Sequence, residues 1–222
     1  LVDVYRRQRQ MGISDSYQVT VGPAVTVNYK GYDVYSTGPW GQGPTFPQAL
    51  KILEGFDLAS MGHNSPEYIH TVSQALNLAF ADREQYVGDP KFTDVPLKEM
   101  LSEEYLSQRR DLIDPDLAWP GTPPAGDPRN GKATINGGPT SPRNAEAPVA
   151  IAGPTGGGTS YFAVIDNEGN IFSSTPSEGT KNGGPIIHGT ELGFWLRGSQ
   201  SRITEGHPAS VEGGKRPRLT PA

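Results

Sequence analysis

The sequence predicts an α+β fold. Loosely alternating apolar residues near its start read as paired strands, helical periodicities follow between Phe46 and Ile113, and the turn formers Asp166 to Asn170 separate two β-rich runs.

Leu1 to Gly12 is basic and has no clear period. Tyr17, Val19, Val21, Val25 and Val27 alternate, and Tyr29 to Tyr35 repeats the habit around Lys30-Gly31, which predicts two short strands. The glycines and prolines of Ser36 to Pro44 make a tight loop. A helix follows over Phe46 to Phe56. The next begins with Ser65 as cap, Pro66 at the first position and Glu67 against the dipole. Its expected buried stripe is Ile69, Val72, Leu76, Ala79 and Phe80, with Gly88 as the stop before Pro90. Leu97 to Ile113 reads as a third, highly charged amphipathic helix. The stretch 114–158 is dense in proline and glycine and poor in apolar residues after Trp119, so a mobile or surface-laid linker is expected. Beyond the hairpin the chain is loop-rich, with a short strand expected at Leu192 to Leu196 and a basic turn at Gly213 to Arg218.

Composition narrows the function. A net charge of −5 over 222 residues gives no basic surface for nucleic acid or anionic membrane. No apolar run approaches the roughly 20 residues of a membrane span, and the charged residues after Leu1 lead to no expectation of a signal peptide in this stretch. The absence of cysteine removes disulfides and thiolate chemistry together. Hydrophobic content of 34%, with 28 glycines and 21 prolines, is low for a self-sufficient core and predicts a fragment completed by other segments.

The hairpin holds the candidate chemistry. Gly156-Gly157-Gly158 runs directly into Thr159, and Val164, Ile165, Ile171 and Phe172 flank the turn. With Ile165 opposite Ile171, counting back in twos keeps one face and sets Thr159 across from Ser177. A threonine hydroxyl needs an adjacent base to act as nucleophile. Cleavage of the Gly158–Thr159 bond supplies one, since a free α-amine has a pKa of about 7.7–8.0. The bland alternative is a flexible loop entering a strand. Other polar residues read as structural: His70 as a satisfied helix histidine, Asp82 and Arg83 as ion-pair or capping residues, and Lys215 to Arg218 as a turn. His63, His188 and His207 lack zinc spacing, and the glycine run lacks the lysine of a phosphate loop.

Several segments resemble the γ-glutamyltranspeptidase family. TSYFAVIDNEGN is similar to the start of that family's small subunit, NYKGYDVYS and LKILEGFDL to segments of its large one, and ADREQYVGDPKFTDVP and GGKRP to two further motifs. The resemblance implies a four-layer αββα N-terminal-nucleophile hydrolase, matured by cleavage before a threonine, only partly contained in this chain. It divides the chain into the end of the large-subunit region (1–113), the linker (114–158) and the start of the small-subunit region (159–222). It implies catalytic roles for Thr159 and Ser177, substrate-binding positions at Ser160, Glu178 and Gly179, and cleavage between Gly158 and Thr159. It implies no cofactor and no metal. The expected partners are a small-molecule amide and the remaining segments of the protein's own subunits, so the 222-residue piece alone is expected to be inactive.

The sequence also departs from the family pattern. Tyr161 replaces a histidine, and Gly38 to Pro44 replaces a Pro-Ser-Gly loop. Gly179 stands where the family has an asparagine that holds the substrate amine, and Leu196 and Ser199 where it has glutamine and aspartate. An acylase that accepts acyl groups without an α-amine, and an unprocessed non-catalytic relative, are therefore both alternatives.

Overall fold

The computed structural model describes residues 21–144, 161–174, 206–210, 212, 215 and 216. Strand β1 (Val25–Tyr29) pairs antiparallel with β2 (Tyr32–Ser36), placing Val27 opposite Val34 and Tyr29 opposite Tyr32. Lys30 and Gly31, at φ 49 and 90, form the two-residue turn between them. The expected strand start at Tyr17 lies outside the described residues, and Val21 to Ala24 is not strand.

Helix α1 (Thr45–Leu53) packs its Ile52 and Leu53 against α2 (Pro66–Tyr86). Lys51 ties it to the hairpin by donating to the Asn28 carbonyl at 3.3 Å. Ser65 caps α2 as expected, accepting from the Tyr68 N–H at 3.0 Å. The buried face of α2 differs from the expected stripe. Ile69 is 52% exposed and Phe80 39%, while Thr71, Gln74, Ala75, Leu78, Ala79, Ala81, Asp82 and Tyr86 are buried. Hydrogen bonds draw polar residues inward here: the Gln74 side-chain oxygen accepts from Trp119 N–H, and Asp82 has four partners of its own.

The third expected helix is two. α3 (Leu97–Met100) stops at Leu101, and Ser102 starts α4 (Glu103–Arg110) by accepting from Tyr105 N–H at 3.4 Å. The core joins Ile52, Leu78, Tyr105, Leu106, Leu112 and Trp119.

One polar node organises this body. The fully buried Asp82 carboxylate accepts from Gln48 Nε2 and Tyr105 Oη at 2.6 Å each and from Gly126 N–H at 2.8 Å. It pairs with the equally buried Arg109 at 3.1 Å. The Tyr105 phenol is held above its ordinary pKa, first by burial and then by that carboxylate. Arg109 also donates to the carbonyls of Leu78, Pro124 and Ala133 at 2.7–3.0 Å.

The proline-rich chain is thus laid on the helices by hydrogen bonds from Trp119 to Ala133, and the mobile alternative does not apply to that part. A Cβ on Gly126 would lie 2.0 Å from the Tyr105 hydroxyl, so only glycine fits there. Asp82→Ala leaves Arg109 charged, buried and unpaired, and is expected to cost about 3–5 kcal/mol. Urea denaturation of the full-length protein measures this, and a loss below about 1 kcal/mol would show that the node does not hold the body together.

Candidate functional site

Strands β3 (Phe162–Ile165) and β4 (Ile171–Ser174) form a hairpin, with Ile165 opposite Ile171, Val164 opposite Phe172 and Phe162 opposite Ser174. This is the expected register. The turn is fixed by Asp166, whose Oδ1 accepts from the backbone N–H groups of Glu168 and Asn170 at 2.9 and 2.8 Å. The Asn170 side chain, donating to Oδ2 at 2.8 Å, and then those backbone bonds hold its carboxyl below the usual range. Both faces of the ladder are apolar and exposed, with Ile165 and Phe172 at 68% and 59%. Tyr161 lies on the Ile165 face, its hydroxyl 3.5 Å from Ser173 Oγ.

Gly158, Thr159, Ser160, Ser177, Glu178 and Gly179 lie outside the described residues, as do Leu196, Ser199 and the expected strand at Leu192 to Leu196. The described ladder ends at the pair Phe162 and Ser174.

A second constellation, missed at the level of sequence, joins the two halves of the chain. Asp89 is 1% exposed. Its Oδ2 accepts from Arg216 Nε and from the Arg216 backbone N–H, both at 3.0 Å, and its Oδ1 from Arg216 Nη2 at 2.9 Å and Lys91 N–H at 3.2 Å. The guanidinium lies 5.2 Å from the Trp40 ring centre. It forms one wall of an open cleft of about 1040 Å³ lined also by Val25, Tyr35, Trp40, Phe46 and Leu97. The basic turn is therefore structural at Arg216. Similarly, His70 bonds the Asp114 carbonyl at 2.8 Å. Each partner was visible as a charged residue in a motif, but 127 positions separate Asp89 from Arg216, and no spacing rule pairs residues that far apart.

The Arg216 side chain, helped by the backbone donors and against the opposing effect of burial, holds the Asp89 carboxyl at about 2. An unfolded aspartate titrates near 3.9. The pair's stability is thus fully present above about pH 4 and lost as pH falls through about 2. The stability difference between the parent and Asp89→Asn, read from urea midpoints, is expected to be constant from pH 7 to 5 and to shrink below 4. A difference that grows on acidification contradicts the assignment.

The gamma-glutamyltranspeptidase family profile matches residues 14–221, and the chain belongs to that family. The glutathione hydrolase proenzyme of Bacillus subtilis subsp. natto is 33% identical over 165 residues, covering 72% of this chain and 26% of that protein. The glutathione hydrolase-like YwrD proenzyme of Bacillus subtilis (strain 168) is 32% identical over 194 residues, covering 86% and 31%. The solved cephalosporin acylase from Bacillus halodurans matches with a TM-score of 0.68 at 25% identity, over 92% of this chain and 32% of that one. The chain spans about a quarter to a third of the length of these relatives. Among the described residues no helix is long and apolar enough to cross a membrane.

Proposed function

We propose that the full-length protein is an amide-bond hydrolase and acyltransferase of the γ-glutamyltranspeptidase type, matured by cleavage of its own Gly158–Thr159 bond. The observation that supports this reading is the hairpin register, in which Phe162 pairs with Ser174, as the sequence reading that pairs Thr159 with Ser177 requires. In maturation Thr159 Oγ attacks the Gly158 carbonyl, and water resolves the resulting ester, leaving a free α-amine on Thr159. That amine then takes the proton of the same residue's hydroxyl as Oγ attacks a substrate amide. The leaving amine departs with a proton, and water or a second amine releases the acyl group. Ser177 orients Thr159, while Ser160, Glu178 and Gly179 face the acyl part.

The hairpin's two apolar faces suit an inner strand pair covered on both sides, as in a four-layer αββα sandwich. Residues 1–113 then close the large-subunit region, 114–158 form the linker, and 159–222 open the small-subunit region. Mass spectrometry of the denatured full-length protein tests this directly, through a product whose N-terminus is Thr159. An intact chain under conditions where the protein is folded would favour the unprocessed, non-catalytic relative. A second reading, an acylase for acyl groups without an α-amine, is favoured by Gly179 and Leu196, which offer no side-chain acceptor to an ammonium, and by the match to cephalosporin acylase.

A further inference from the structure

Among the described residues beyond 158, the hairpin is exposed on both faces, whereas 207–210 and 215–216 are seated on the chain that leaves α2. The contact has three parts. The Asp89 carboxylate takes the Arg216 side chain and backbone in three hydrogen bonds. Gly88 lies flat against Pro208, so that a Cβ there would stand 2.4 Å from the Pro208 carbonyl oxygen, and Ala209 is only 5% exposed. At the margins His207 Nε2 lies 3.3 Å from Glu84 Oε1, Thr93 Oγ1 reaches the Pro208 carbonyl at 3.5 Å, and Lys215 Nζ sits 5.8 Å from the Phe92 ring centre. A small, close-packed patch with a buried carboxylate at its centre and weaker polar contacts at its rim has the make-up of a binding interface.

We infer that this patch is a clamp between the two products of maturation, with Glu84–Thr93 as the receiving surface and His207–Arg216 of the protein's own second piece as the partner. The inference rests on the cleavage proposed above, because only a cut between the two segments makes the contact intermolecular. Asp89 is the anchor: without Arg216 it would be a buried carboxylate with no cation, and removing one member of such a pair acts mainly on dissociation. Gly88 supplies the fit, since any larger residue lifts Pro208 off the surface.

The test uses the full-length protein carrying Thr159→Ala and a sequence-specific protease site placed between residues 145 and 157, so that the cut is made by an added protease. Release of the second piece in moderate urea is followed by size exclusion. Asp89→Ala and Gly88→Leu are expected to speed release about tenfold or more, while the exchange Asp89→Arg with Arg216→Asp recovers part of the loss. Asp94→Ala, which removes a pair with Arg129 within the first piece, is the control and leaves release unchanged. Release at the parental rate in Asp89→Ala, or equal acceleration by Asp94→Ala, overturns the clamp. Self-cleavage is scored separately, on the protein that retains Thr159 and lacks the protease site, so either proposal can fail alone.

Discussion

Thr159→Ala is expected to leave the full-length protein as one band on a denaturing gel where the parent gives two, and to abolish turnover. The expectation follows from the position of the hydroxyl. Attack on the Gly158 carbonyl from the following residue needs a side-chain nucleophile on that residue, and alanine has none. In the proposed mechanism the same hydroxyl is the nucleophile toward substrate after the cut, so nothing replaces it in the second reaction either. Thr159→Ser keeps an oxygen in place for both reactions and should still yield two bands. Ser177→Ala should process as well, with turnover lower by about 10², the scale of one lost positioning hydrogen bond at a reacting group. Two bands from Thr159→Ala would place the cut elsewhere or assign it to another protease.

The parts of the fold that were legible in the sequence are those fixed by neighbours. The Ser65-Pro66 helix start and the Asp166 to Asn170 hairpin each depend on bonds within about five residues, and each formed as read. The buried face of α2 was not legible, because it is chosen by Gln74 and Asp82, whose partners are Trp119, Gln48, Tyr105, Arg109 and Gly126. Apolar periodicity instead selected Ile69 and Phe80, which are exposed. The break before α4 was missed because charge and apolar spacing run on across Ser102, while the deciding event is a single cap. Composition likewise reports how little apolar surface the proline-rich stretch has, and says nothing of the carbonyls that Arg109 collects from it. At the candidate site the register was readable and Asp89–Arg216 was not, for the same reason: one is a local ladder, the other a contact across 127 positions.

Side by side, glutaryl anilide is expected to exceed γ-glutamyl anilide in kcat/KM by about a thousandfold in the matured full-length enzyme. The two substrates differ in one ammonium group. Where the family resemblance expects an asparagine and a glutamine to receive it, this chain has Gly179, which has no side chain, and Leu196, which accepts no hydrogen bond. An ammonium carried into an acyl pocket without acceptors loses its water and gains nothing in return, a cost of several kcal/mol. Discrimination of that size is typical when a polar group of one substrate goes unpaired and its analogue has none. Glu178 is the one nearby residue in sequence with the charge to reverse the outcome, so Glu178→Ala is the third arm of the comparison. If the γ-glutamyl substrate is preferred by the parent and the preference disappears in Glu178→Ala, then that carboxylate receives the amine and the acylase reading is wrong. If the glutaryl substrate is preferred and Glu178→Ala leaves the ratio where it was, the pocket is built for acyl groups that lack the amine.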